Sequence, residues 1–195
     1  MYKTVGELAQ AWRPDAAASR AVAGRVRDGL VRGWVTVAGP ELRWRVEAAL
    51  ADEGLALEAQ DGWVPLAAYL RLHEHIAELD HGGDGKAFAG RWLRDVERQI
   101  PGLARWPLKA LGLRRGLELL PRLWPEAWGT PAPRVRADGE RWILEDFEGL
   151  PLDSPTLALL LALQFELAAR LLSGGRARVQ VQPDASGGVR SLVIS

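Results

Sequence analysis

The sequence predicts an α+β fold: N-terminal helices, then an antiparallel sheet of about four strands, made of two hairpins that flank a buried helix. Three observations carry this expectation. Ser154 to Gly174 (SPTLALLLALQFELAARLLSG) is apolar on nearly every side, and a helix of that kind must be wrapped by the rest of the chain. Arg134 to Phe147 holds two β-prone runs around Asp138-Gly139, a strong two-residue turn signal. Ala177 to Gln182 and Val189 to Ile194 form a second such pair, turning at Asp184 to Gly188. The chain divides into a helical N-terminal segment, residues 1–31, and an α+β domain of ligand-binding type, residues 32–195.

Taken in order, Thr4 to Trp12 reads as a short helix, with Thr4 as cap and Glu7 completing a capping box. Arg13-Pro14-Asp15 breaks it, and Ala16 to Leu30 continues as a second helix with Val22, Val26 and Leu30 on one face. Trp34 to Val37 is a short β-prone run. Gly39-Pro40 opens a helix to Asp52, closed by Gly54. Trp63-Val64-Pro65 leads into Leu66 to Leu79, whose apolar face carries Leu66, Tyr69, Leu70, Ile76 and Ala77 together with His73, while His75 lies off that face. Phe88, Trp92, Val96 and Ile100 recur every four residues in the next helix, which Asp84 starts and Pro101-Gly102 stops. Leu103 to Leu111 and Leu113 to Leu120 are two shorter helical pieces around Gly112. Pro121 to Pro133, with four prolines, reads as a loop into the sheet. In the first hairpin Trp142 and Leu144 point to one face, Ile143 and Phe147 to the other. Ser154 and Pro155 start the apolar helix, Gly174 ends it, and Glu166 and Arg170 form an i,i+4 pair on its single polar stripe.

Composition narrows the function classes. Lys+Arg and Asp+Glu are 25 each, a balance that argues against a dedicated nucleic-acid binder. Cysteine is absent, so disulfides, thiolate catalysis and Cys-ligated metals are excluded, and a cytoplasmic location is expected. The N-terminus lacks the pattern of a signal peptide. Gln164, Glu166 and Arg170 interrupt the apolar run, which therefore reads as a core helix and not a membrane span.

No catalytic signature stands out, and no catalytic or metal-binding residue is assigned. Asp80 to Gly90 (DHGGDGKAFAG) fails the phosphate-loop pattern at Asp80 and Ala87 and the calcium-loop pattern at Arg91, leaving a glycine-rich turn with His81 solvated in it. His73 and His75 are two apart on one helix, so their rings diverge and cannot share an ion. His73, facing inward, is the one cofactor-binding candidate; its ordinary role is a core histidine bonded to a backbone carbonyl. Glu145, Asp146 and Glu148 form an acidic cluster at a strand end. Lys109, Arg114 and Arg115 form a small basic patch.

The order of helices, hairpin, Pro-introduced helix and final hairpin resembles the fold shared by heme-nitric-oxide-binding domains, 4-vinyl-reductase domains and TRAPP vesicle-tethering subunits. The resemblance is carried by Trp142 to Gln182 (WILEDFEGLPLDSPTLALLLALQFELAARLLSGGRARVQVQ) and the later VRSLVI. More loosely, Arg32 to Ser195 is similar to an uncharacterised bacterial family of like length. The chain lacks the cysteines of the 4-vinyl-reductase domains and the Tyr-x-Ser-x-Arg motif that holds heme propionates. The resemblance thus implies a scaffold that binds apolar ligands or partner proteins, and no functional residue is carried over.

The expectation is a non-enzymatic binding or signalling module, with no cofactor, acting through an apolar pocket or a protein interface; a homodimer is compatible with it. Two alternatives stand beside it. One is a DNA-binding regulator that reads through Thr4 to Leu30, in the manner of a helix-turn-helix. The other is a heme-based gas sensor with His73 as axial ligand.

Overall fold

A computed structural model describes residues 2–100, 102–183 and 189–195 of the protein, the side chains of 35–37 and 102–106 excepted. From the N-terminus the elements are β1 (Lys3–Thr4), α1 (Val5–Ala11), α2 (Ala16–Ala21), β2 (Arg25–Arg27), α3 (Asp28–Val37), α4 (Pro40–Asp52), β3 (Trp63–Pro65) and α5 (Leu66–His81). Then come α6 (Gly85–Gln99), α7 (Gly102–Trp128), β4 (Arg134–Asp138), β5 (Arg141–Glu145), α8 (Pro155–Ser173), β6 (Val179–Pro183) and β7 (Val189–Ile194).

The fold is α+β, with an antiparallel sheet ordered β1-β6-β7-β5-β4 and a separate two-stranded sheet of β2 and β3. The two expected hairpins supply β4, β5, β6 and β7. The fifth strand, β1, is a two-residue addition that pairs Lys3 with Val181 and Thr4 with Gln180. Leu144, Leu192 and Val181 stand in register across three strands and join the leucines of α8 in one core. Ile143 and Val193, in register with each other, are buried on the opposite face of the sheet.

Helix α8 is the hub. Ser154 caps it by accepting from the Leu157 N–H at 3.3 Å, and Gly174 closes it in the left-handed conformation at φ 67°. It is the one described helix long and apolar enough to cross a membrane, and most of it is buried inside the fold. Its Glu166 pairs with Arg170 at 2.8 Å, and the other carboxylate oxygen accepts from the Val179 N–H at 2.7 Å. That second bond pins the start of β6 to the helix.

The N-terminal residues pack on the same framework. Thr4 forms its capping box with Glu7. Trp12 donates its indole hydrogen to Thr156 at 3.3 Å, joining the end of α1 to α8. Gly85 lets α1 lie close on α6: a Cβ there would stand 2.4 Å from the Ala9 carbonyl oxygen.

Four expectations are corrected. The helix read over Ala16 to Leu30 breaks after Ala21, because Gly24 turns at φ 122° and Val26 joins the small sheet. The β-prone run Trp34 to Val37 lies inside α3, where Val31 and Trp34 bury one turn apart. α7 bends at Gly112 and then continues through Pro121 and Pro125 to Trp128 instead of becoming a loop. There Trp124 and Trp128 stack at 5.5 Å and Trp124 stacks on Phe165 at 5.9 Å. Burial of these rings outweighs the hydrogen bonds the prolines remove. His81 is not solvated; its ring packs edge-on against Phe88. The expected turn at Asp184 to Gly188 and the stop at Pro101 lie outside the described residues.

Candidate functional site

α5 divides the buried interior into two polar environments of opposite character. All residues from Leu66 to Ala77 are buried, Arg71, Glu74 and His75 included. One side of the helix carries ionic groups and the other carries rings.

On the ionic side, Glu74 is fully buried and fully partnered. One oxygen accepts from the Ser19 hydroxyl at 2.6 Å and from the Thr156 hydroxyl, and the other accepts from the Arg71 guanidinium. Arg71 also reaches Glu53, with its Nε 2.8 Å from Oε2. His75 Nε2 lies 3.1 Å from both Arg71 Nη2 and Glu53 Oε1. Arg71 holds the Glu53 carboxyl below the ordinary carboxylate range by these hydrogen bonds. The cluster ties α2, α4, α5 and α8 together. His75 was expected off the apolar face; it does point away from it, and it is buried all the same.

On the aromatic side, Phe88 of α6 is ringed by Trp12 at 5.6 Å, His73 at 6.2 Å, His81 at 6.2 Å and Trp34 at 6.4 Å. His73 donates from Nδ1 to the Tyr69 carbonyl at 2.8 Å, which leaves Nε2 bare and without a partner. Burial lowers its pKa to about 4, so the ring is neutral near pH 7. Trp34, Tyr69 and Phe88 occupy the space around the imidazole, and His73 lines none of the larger clefts. These residues do not fit a heme. Among the described residues there is no group of three His, Asp or Glu that could hold a metal ion.

Beside this aromatic cluster α3, α6 and α8 enclose an open cleft of about 280 Å³. Leu30, Val96, Leu167 and Leu171 supply its apolar walls, and Trp34 and Trp92 form the wall shared with the cluster. Gln164, Ala168 and Leu171 form an incompletely buried line of α8, at i, i+4 and i+7. The Gln99 side chain reaches from α6 to α3, where a Cβ on Gly33 would lie 2.8 Å from its Oε1. Gln164 donates to the Tyr69 hydroxyl at 3.2 Å. No lining residue is charged.

The other candidates are surface features. A larger groove of about 660 Å³ between α3, α4 and residues 55–59 has a rim of exposed ion pairs, Asp28–Arg32 and Arg43–Glu47. In the acidic cluster Glu145 pairs with Arg134 at 3.1 Å and Arg136 at 3.2 Å, and Asp146 pairs with Arg134 at 3.0 Å. In the basic patch Arg114 pairs with Glu118 at 3.0 Å. The sequence showed Trp34 as the start of a β-prone run, and Trp92 and Gln164 only as helix positions. Their convergence needs three helices far apart in the chain, and no local signal reports it.

No known protein family, curated protein or solved structure matches the chain. The residues of the cleft therefore carry the functional argument by themselves.

Proposed function

We propose that the protein is a non-enzymatic binding module that holds an apolar ligand in the cleft between α3, α6 and α8. The observation that carries this reading is an uncharged cleft, open to solvent, set against a packed cluster of rings. Small-molecule sites are concave and mostly apolar, with a few polar groups that fix orientation, and Tyr69, Gln99 and Gln164 are such groups here. The resemblance of the Trp142 to Ile194 stretch to ligand- and partner-binding scaffolds points the same way. A cytoplasmic setting belongs to this reading, supported by the cysteine-free chain.

Nile red, a neutral apolar dye, tests it. Saturable binding of one dye per chain is expected, weakened at least about tenfold by Ala168→Trp, which fills the cleft from a half-buried position. Dye binding that is unaffected by a folded Ala168→Trp variant would place the apolar site elsewhere and overturn the proposal.

A further inference from the structure

We infer that the open edge of the five-stranded sheet is an interface between two copies of this chain, which join β4 to β4 antiparallel about a two-fold axis at Arg136. This goes beyond the binding reading and does not depend on it.

The sheet is finished at one edge and unfinished at the other. At the far edge Lys3 and Thr4 of β1 pair with β6, and α1 packs beside them. At the near edge β4 has β5 as its one neighbouring strand. Their hairpin closes through a two-residue turn, with Asp138 opposite Arg141. In such a hairpin the closing pair exchanges its hydrogen bonds, and bonded and non-bonded pairs then alternate along the ladder. Arg134, Arg136 and Asp138 therefore turn their backbone groups to β5, while Val135 and Ala137 point theirs outward. Among the described residues no hydrogen bond outside the ladder reaches the backbone of residues 134–138. A bulge or an internal proline commonly protects such an edge, and β4 has neither.

The side chains lose cover toward the same edge. One inward row runs Val179, Ile194, Trp142, Ala137; the first two are buried, Trp142 is half-buried and Ala137 is exposed. The next row runs Val181, Leu192, Leu144, Val135, and Val135 is its one incompletely buried member.

The strand itself points to its occupant. Laid antiparallel on itself with Arg136 on the axis, RVRAD sets Val135 opposite the partner's Ala137, and symmetry repeats the pair. These are the residues whose backbone groups are free, so each pair can exchange two hydrogen bonds. Their side chains lie on the inward face, where Ala137 and Val135 gain the cover they lack. On the outward face Arg134 stands opposite the partner's Asp138 at both ends, an arrangement of opposite charges. Asp138 has no ion pair among the described residues. Arg134 meets Glu145 and Asp146 through Nη2, and its guanidinium has further donors to give. Arg136 faces its own copy across the axis, and Glu145 at 3.2 Å neutralises each one. A five-residue strand makes a small interface, so the dimer is weak and depends on concentration.

Sedimentation velocity of the intact protein tests this. The mass is expected to rise from one chain toward two between low and high micromolar concentration. Asp138→Arg and Arg134→Asp each set like charges opposite one another, and each alone is expected to stay monomeric. Mixed together they restore opposite charges at both ends and are expected to form a one-to-one heterodimer. The chain has no cysteine, so Arg136→Cys reports the register directly. Opposite residues of a non-bonded pair lie about 4.5 Å apart at Cα, within reach of a disulfide. Mild oxidation is expected to link Arg136→Cys into a covalent dimer and to leave Arg115→Cys, exposed on α7, a monomer. A monomer at every concentration, or a dimer that both charge variants keep, would overturn the inference. So would a mixture of the charge variants that does not associate, or cross-linking of Arg136→Cys no greater than that of Arg115→Cys.

Discussion

The two sides of α5 solve the same problem in different ways. Around Glu74, a carboxylate, a guanidinium and two hydroxyls are buried and each finds a partner within the chain. Around Phe88, rings pack closely, yet two indoles and two imidazoles keep a nitrogen with nothing to bond. Complete satisfaction marks a structural lock, since its atoms have no bonding capacity left to offer a ligand. Incomplete satisfaction on the aromatic side leaves ring nitrogens sealed in the packing without a partner, so ring burial there prevails over hydrogen bonding.

Both regions lean on α8, so the largest effect is expected from the helix they share. Leu163 is fully buried at its middle. Leu163→Asp is expected to prevent folding, because an unpaired buried carboxylate costs several kcal/mol, on the order of a domain's whole stability. A soluble variant with unchanged circular dichroism and melting temperature would show that α8 is not the hub.

Breaking the lock comes next. Glu74→Ala removes the acceptor of Ser19 and Thr156 and one partner of Arg71. A loss of about 3–5 kcal/mol is expected in urea unfolding, since removing one member leaves buried polar groups uncompensated. A loss under about 1 kcal/mol would erase the contrast with the aromatic side.

The aromatic side has its own signature in pH. The pKa of His73 is about 4 when folded and near 6.5 in its ordinary state. Between those values the unfolded chain binds the extra proton, so stability is full above about pH 6.5 and falls as pH drops toward 4. The integrated loss is about 3 kcal/mol. The lowered pKa of Glu53 acts in the same direction, in the carboxylate range below. Urea midpoints measured from pH 7 to pH 4 check this, and His73→Phe should flatten the upper part of the profile.

At pH 7, His73→Ala is expected to cost about 1–3 kcal/mol, from a cavity and the loss of the ring's bond to the Tyr69 carbonyl. Hemin added to the wild-type protein should give no stoichiometric Soret absorbance. A band that disappears in His73→Ala would turn the aromatic cluster into a heme site.

The smallest stability change sharpens the comparison most. The Trp92 indole nitrogen has no partner, so Trp92→Phe loses volume but no hydrogen bond. About 1 kcal/mol in thermal or urea unfolding is expected. A loss near that of Glu74→Ala would mean that the aromatic side is as much a lock as the ionic side.

What the sequence determined by itself is what neighbouring residues decide. Caps at Thr4, Ser154, Asp84 and Gly174, the turn after Asp138, the buried character of α8 and the inward side of His73 all follow from spacing within a few residues. The α+β class follows from the order of those elements. Only the tertiary structure decided the rest. α7 survives Pro121 and Pro125 because Trp124 meets Phe165, some forty positions away. Glu74 is a lock because Ser19 lies 55 residues before it and Thr156 lies 82 residues after it. The cleft exists because Gly33, Trp92 and Gln164 of three separate helices meet. Burial of large rings and pairing of buried charges are worth several kcal/mol, more than local propensities of a few tenths to about one. Where the two conflict the long-range contact prevails, and such contacts leave no mark in any short stretch of sequence.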